Sequence, residues 1–345
     1  MFSGFISFLK KRKEIYLRRR REEDNLEKYG GLLFALLVMA IMFFIPENDR
    51  RHLWDYVSVF AIFFIAFMYR RIRNSRQQLR EKNREIEAQK HIIEEHRKEI
   101  IDSINYAKRI QDAILNQSDH VNESLTGTFI LYKPKDIVAG DFYWIGKTGN
   151  TFLIAAADCT GHGVPGAMVS VICNNALNRA VKEFQLVNTG AILDKTTDLV
   201  LETFEKSSHE VKDGMDISLL SIDPVNKKIC WSGANNPLWY FDGTEMKEIT
   251  ADKQPVGKSF ERKRFTTHEI EHKPGATFYL FTDGYADQFG GPKGKKLMYK
   301  RFREILITSL HEGMDIQKQK LNDAFEKWKA KSEQVDDVCV IGIRI

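Results

Sequence analysis

The chain has 345 residues, a net charge of +5, 43% hydrophobic residues and 29% charged ones. That is too long for one small domain and too apolar for a disordered chain. The basic runs Lys10–Lys13, Arg18–Arg21 and Arg70–Arg73 flank apolar segments, which argues for anionic lipid and against nucleic acid, whose binders carry their basic surface on the folded domain.

Residues 1–28 read as a basic cytoplasmic segment. Phe2, Phe5, Ile6 and Leu9 share one helical face there, as an interfacial helix or a frayed terminus would. Tyr29–Pro46 has no charged residue, and a second apolar run covers Tyr56–Tyr69. Roughly 20 apolar residues cross a bilayer core, so 29–69 is predicted as two transmembrane helices. A buried hairpin in a soluble domain would not need the arginine clusters outside both ends. Those clusters, with the short and nearly neutral connection PENDRRH, place both termini on the cytoplasmic side. The expectation is a multi-pass protein of the cytoplasmic (inner) membrane.

Residues 70–117 contain no Gly or Pro, and Ile72, Leu79, Ile86, Ile93, Ile100, Ala107 and Ile114 recur every seven residues. This predicts a coiled-coil linker. Its complementary positions carry Arg76, Asn83, Lys90 and Arg97 before Ile104. Polar residues there, Asn83 above all, favour a homodimer.

From 118 to 345 the texture is that of a folded domain. Strand-like runs appear at TFILY, DFYWI, TFLIAAA, ISLLSI, KICWSG, PLWYF, TFYLF and VCVIGIRI. Helical stretches interrupt them around Pro165–Phe184, Ala191–Ser207 and Ile316–Lys331. Hairpin strands and separate helical blocks predict an α+β layered domain with largely antiparallel sheets. Cys159, Cys173, Cys230 and Cys339 form no CxxC pair and read as buried apolar residues in a reducing compartment.

Three short motifs set aspartates beside glycine or at strand ends: Asp141 in AGDFYW, Asp158 in AADCTGHGVPG and Asp283 in LFTDGYAD. A fourth, QVDDVCV, puts Asp336 and Asp337 before the last strand. Converging carboxylates repel one another unless cations lie between them. All-oxygen ligation selects Mg²⁺ or Mn²⁺ over zinc. Two such ions activate a water for attack on phosphate. Taken singly, each aspartate is a common turn or strand-end residue, and Asp213-Gly214 and Asp242-Gly243 read as turns alone. The ordered set carries the case.

That set, PKDIVAGDFYW, ADCTGHGVPGAM, SGANNPLW, FTDG and VDDVCVIGIRI, resembles the metal-dependent type 2C protein phosphatases, in their bacterial branch typified by the sporulation stage II E phosphatase. The resemblance covers roughly Lys133 to Ile345. It implies a layered sandwich of two antiparallel β-sheets flanked by helices, with two Mg²⁺ or Mn²⁺ ions at one edge. Carried over by position, it implies metal ligation by Asp141, Asp158, the main-chain carbonyl of Cys159, Asp283 and Asp336. Asp337 remains an alternative to Asp336, and Asp287 is a candidate for an outer position. Family members often act on phosphoserine or phosphothreonine regulators such as anti-sigma-factor antagonists. The implied function is a membrane-anchored protein serine/threonine phosphatase in bacterial signalling. A catalytically degenerate domain that only binds its partner is the alternative. The histidine of eukaryotic members lies two residues after the central aspartate, whereas His162 lies four after Asp158. The phosphate-holding arginine of those members has no counterpart near Asp141, and Lys133 or Lys135 is the candidate substitute.

Two rival motifs fail on context. Cys173 to Arg179 has the C-x5-R spacing of cysteine-dependent phosphatases but lies in a predicted helix, whose amides are already bonded. Gly140 to Thr148 mimics a phosphate-binding loop, with five residues between its glycines and a strand after it.

Overall fold

The computed structural model describes residues 39–40, 43–44, 50–115, 127–205 and 213–345. The chain divides into two compact units, Met1–Glu95 and His96–Ile345. Segment 1–28, almost all of Tyr29–Pro46, the connection Glu47–Asp49 and the predicted linker–domain boundary at 117 lie outside the described residues.

In the first unit, helix α1 (Arg50–Leu115) begins, and it continues into the second. Nothing in its sequence breaks it, since no Gly or Pro occurs over that length. Among the described residues no helix is long and apolar enough to cross a membrane. The predicted transmembrane hairpin is therefore not seen. The apolar stretch is short: Asp55 precedes it, and Arg70, Arg71 and Arg73 follow within the same helix. Val59, Phe60, Ile62, Phe63, Ile65 and Phe67 are all exposed along it. The heptad residues Ile72, Leu79, Ile86 and Ile93 are exposed as well. The helix predicted for the linker is present; the structure holds a single chain and no second coil strand.

The second unit contains two stacked antiparallel sheets. One has the order β2 (Phe142–Thr148), β3 (Thr151–Cys159), β4 (Gly214–Asp223), β5 (Lys228–Ala234), β9 (His268–Ile270), with the short β8 (Val256–Gly257) pairing β4. The other runs β1 (Thr128–Lys133), β13 (Val338–Arg344), β10 (Thr277–Phe281), β6 (Leu238–Phe241), β7 (Met246–Ile249). All eight predicted strands are among them. Ile154, Ala156, Leu220, Trp231, Leu238, Phe278, Leu280, Ile341 and Ile343 form the core between the sheets. The opposite side chains of these strands face helices, as the period of two requires.

Helices α2 (Gly163–Lys182) and α3 (Thr189–Glu205) cover the first sheet, where Leu177, Val181, Ile192 and Val200 pack on Trp144, Leu153, Ile217 and Leu219. On the second sheet, α5 (Met298–Ser309) and α6 (Met314–Lys329) bury Phe302, Leu306, Leu321 and Phe325 against Trp239, Tyr279, Phe281 and Val340. A short turn, α4 (Gly284–Asp287), and the ribbon β11 (Phe289–Gly290) and β12 (Lys295–Lys296) precede α5. The three predicted helices appear within two residues of their expected starts. Helix α5 was not anticipated, because only Phe302, Leu306 and Ser309 of its 12 residues are buried.

Candidate active site

The sheets present their ends to one another at an edge built from four loops. Asp141 enters β2 and Asp158 leaves β3. The register Phe142↔Ala157 sets these two aspartates on neighbouring strands of one sheet. On the other sheet Asp283 follows β10 and Asp336 precedes β13, two strands paired as far as Phe281↔Val340. Each sheet thus supplies two of the predicted aspartates.

Close backbone approaches hold these loops. A Cβ on Gly140 would sit 2.5 Å from the carbonyl of Gly161, and one on Gly284 only 1.9 Å from that of Asp337. Only glycine allows the Asp141 loop to press on the Asp158 loop, and the Asp283 turn to press on the Asp336–Asp337 pair. Thr160 ties the β3 end to the start of β4: its Oγ1 donates to Asp213 Oδ1 at 2.9 Å and accepts from Gly214 N at 3.2 Å. Asp213-Gly214 is therefore a strand start that braces the Asp158 loop, and the turn expected there is corrected. Asp242-Gly243 is a turn, with Asp242 Oδ1 accepting from Thr244 N and Glu245 N.

The two adjacent aspartates divide their work. Asp337 is 2% exposed and its carboxylate accepts three amides: Lys135 N at 2.7 Å, Gly140 N at 2.7 Å and Asp141 N at 3.3 Å. It clamps a loop of the first sheet onto the second. Tyr132 makes a second tie across the sheets, donating from its hydroxyl to Asp141 O at 2.9 Å. Asp336 is half-buried; its carboxylate accepts its neighbour's amide, Asp337 N, at 2.9 Å, and its carbonyl accepts from Gln334 Nε2 at 2.8 Å.

The four aspartates bear on one another electrostatically. Asp141 is held well above the usual carboxylate range by burial and by Asp158, with Thr282 partly offsetting. Asp158 is pushed up to about 8 by burial, then by Asp283 and Asp336. Asp283 is raised to about 6 by burial, Asp336 and Asp287, against Lys296. Asp336 is raised by burial and Asp337, relieved by Lys135 and His162. Asp141 Oδ2 is buried with no hydrogen-bond partner. An orphaned carboxylate oxygen facing three more carboxylates fits a hard dication. Among the described residues no three His, Cys, Asp or Glu are gathered tightly enough to hold an ion by side chains alone. An ion here would complete its sphere with backbone carbonyl and water.

The other predicted residues fall out unequally. Cys159 lies beside Asp158, its thiol buried and pushed up by that burial and by Cys173. Asp287 is bound to Lys296 at 2.6 Å. His162 is exposed and 3.3 Å from Asp136. Lys133 is committed to Glu326 at 2.6 Å and Asn322 at 2.8 Å on α6, away from a phosphate-holding role. Lys135 alone of the two candidate lysines bears electrostatically on Asp336. Cys173 is buried within α2, and Arg179 pairs with Glu183 at 3.1 Å, so no cysteine loop exists there. Residues 142–148 form a strand, so no phosphate-binding loop exists either.

Sequence reasoning missed Asp216, which pairs with Asp158 across β3 and β4 and accepts from Asn235 Nδ2 at 2.8 Å. Its position at the head of the apolar run ISLLSI was the available signal. Tyr299, pushed up to about 12 by burial and then by Asp283, Asp287 and Asp158, also borders the site.

Residues 148–345 match the family model described as Stage II sporulation protein E (SpoIIE), a span holding Asp158, Asp283 and Asp336. Among solved structures, the SiaA-PP2C domain of Pseudomonas aeruginosa is 30% identical with a TM-score of 0.65, covering 72% of this chain and 98% of that one. The PP2C phosphatase domain, with a regulatory-domain fragment, of SpoIIE from Bacillus subtilis is 15% identical with a TM-score of 0.50, covering 64% of this chain and 63% of that one. The RsbU and RsbW domains of a Mycobacterium tuberculosis protein are 16% identical with a TM-score of 0.50, covering 64% and 60%. At those identities the last two show a shared fold. No curated protein matches the chain significantly.

Proposed function

The chain belongs to the stage II sporulation protein E family of protein serine/threonine phosphatases, and on that premise we propose that it is a Mg²⁺- or Mn²⁺-dependent, membrane-anchored phosphatase of bacterial signalling. The observation that carries the metal dependence is the mutual burden of Asp141, Asp158, Asp283 and Asp336, each raised by burial and by at least one other aspartate. Asp141, Asp158, the Cys159 carbonyl, Asp283 and Asp336 would hold the ions. When bound, such ions lower the pKa of water and offset charge on the phosphoryl group.

The remaining work falls to the chain itself. Asp337 and Tyr132 fix the Asp141 loop across the sheets. Lys135 supplies positive charge beside Asp336, where a phosphate oxygen would arrive. The substrate is a phosphoserine or phosphothreonine regulator protein; the presence of RsbU and RsbW domains in one similar protein is in keeping with a protein partner in signalling. Membrane attachment is supported by the exposed apolar residues Val59, Ile62, Phe63, Ile65 and Phe67, since a helix apolar all round needs lipid or other helices around it. Homodimerisation is supported by the exposed stripe Ile72, Leu79, Ile86 and Ile93.

The test is hydrolysis of p-nitrophenyl phosphate and of a phosphoserine peptide by the full chain. Turnover with Mn²⁺, its loss in EDTA and its survival in Cys173→Ser are expected. EDTA-resistant turnover that Cys173→Ser abolishes would overturn the metal reading in favour of cysteine chemistry. Binding of a phosphoprotein without turnover would favour a degenerate binding module.

A further inference from the structure

Helix α1 is long and mostly bare, yet its last turns are not. Ile104 and Lys108 are half-buried, and Gln111 and Leu115 are buried, a spacing of four, three and four residues that places them on one helical face. Leu115 packs with Phe142, Trp144 and Val169 in the core beneath α2. Gln111 is 4% exposed, and its primary amide is fully used. Nε2 donates to Ala139 O at 2.7 Å and to Ser170 Oγ at 3.0 Å, while Oε1 accepts from Ala139 N at 3.3 Å.

Ala139 is two residues before Asp141, in a buried loop with no strand partner for its backbone. Gln111 satisfies both its N–H and its C=O, since a primary amide carries a donor and an acceptor side by side. The next two amides, of Gly140 and Asp141, are held by Asp337 from the other sheet. Ser170 stands one turn beyond Gly166, where a Cβ would meet Gly161 O at 2.3 Å and Gly140 Cα at 3.1 Å. The Asp141 loop is thus gripped by Asp337 on one side and by the incoming helix on the other.

We propose that Gln111 is a positioning residue for the metal site: through Ala139 it holds Asp141 where the ion needs it. The proposal rests on the reading of Asp141 as a metal ligand. Gln111 also falls on the heptad position of Arg76, Asn83, Lys90, Arg97 and Ile104. That half of the predicted seam ends as the docking face of the catalytic unit, and the seam left for a second helix ends before Ile104.

The experiment is Mn²⁺ binding to the full chain, read from the electron paramagnetic resonance signal of free Mn²⁺, with kcat measured at limiting and saturating Mn²⁺. Gln111→Ala and Gln111→Met, which keeps the approximate size but loses both donor and acceptor, are compared with Leu115→Ala. Loss of a group that orients a metal ligand typically weakens metal binding about ten- to a hundredfold. Both Gln111 variants are expected to lose Mn²⁺ affinity by that factor and to recover most of their rate at saturating Mn²⁺. Leu115→Ala is expected to lower the thermal midpoint and leave Mn²⁺ affinity within about twofold. Parental Mn²⁺ affinity in a folded Gln111→Ala or Gln111→Met would overturn the proposal, as would an equal loss in Leu115→Ala. If the parent itself bound no Mn²⁺, the metal reading would fall and this proposal with it, an outcome distinct from failure of Gln111 alone.

Discussion

The two sheets contribute to the candidate site in equal number and unequal state. Asp141 and Asp158, from the first sheet, carry the heavier burden: Asp141 is 4% exposed and Asp158 is raised to about 8. Asp283, from the second sheet, is raised only to about 6, with Lys296 nearby, and Asp336 has Lys135 and His162. Asp283 therefore offers negative charge at neutral pH, while Asp158 offers it there chiefly when a cation displaces its proton. The same chemical group, at the ends of two sheets, is shifted to different extents by burial and by the placement of Lys296, Lys135 and His162.

The largest expected effect breaks the site from either side. Asp158→Asn and Asp283→Asn should each lower phosphatase turnover by about two to three orders of magnitude, since each removes charge from the ion-holding set. Turnover near the parental level in either variant would remove that sheet from the site.

The pH dependence sharpens the comparison. Metal binding must displace protons, so Mn²⁺ affinity should fall about tenfold per pH unit below about 8, where Asp158 takes up its proton. Asp283→Asn should leave that fall in place between pH 8 and 6, and Asp158→Asn should flatten it. Metal-free stability runs the other way. Because the folded-state pKa of Asp158 is raised, its contribution is fully present below the ordinary value near 4 and is lost as pH rises through about 8. Urea melts of the stripped protein should show stability declining over that window, and less so in Asp158→Asn. A flat profile in the parent would mean that the first-sheet carboxylates are not buried as described.

The clasp between the sheets gives a middle-sized effect. Asp337→Ala leaves the amides of Lys135, Gly140 and Asp141 without their acceptor and should cost about 3 kcal/mol in urea denaturation. A change under about 1 kcal/mol would show that water replaces the clamp. The smallest effect belongs to Lys133, half-exposed and bound to α6. Lys133→Ala should change stability by less than about 1 kcal/mol and leave kcat/KM unchanged, whereas Lys135→Ala should raise KM for a phosphopeptide.

Much of this fold was legible because its strands are apolar and bounded. TFLIAAA and VCVIGIRI are buried along nearly their whole length and have no other stable reading. Short elements were not: β8 has two residues, and α5 buries few residues in its 12. The four aspartates were legible as an ordered set. Their division of labour was not, because Asp336 and Asp337 are identical in sequence terms. Only the amides converging on Asp337 separate them. Gln111 was invisible for a related reason, since a glutamine in a charged helix declares nothing until Ala139 is found against it. The linker is helical, as its composition suggests, while the spanning hairpin is not seen: its first run lies almost wholly outside the described residues, and the second, Tyr56–Tyr69, is too short and runs straight into Arg70, Arg71 and Arg73 of the same helix.

The central claim is that carboxylates from both sheets hold ions that drive phosphate hydrolysis. The most direct test strips the full chain with EDTA and measures phosphate release from a phosphoserine peptide as Mn²⁺ is added back. The account predicts no release without metal, saturable recovery in the parent and no recovery in Asp158→Asn at the same Mn²⁺ concentrations. Undiminished release from the stripped protein, or full recovery in Asp158→Asn, would contradict it.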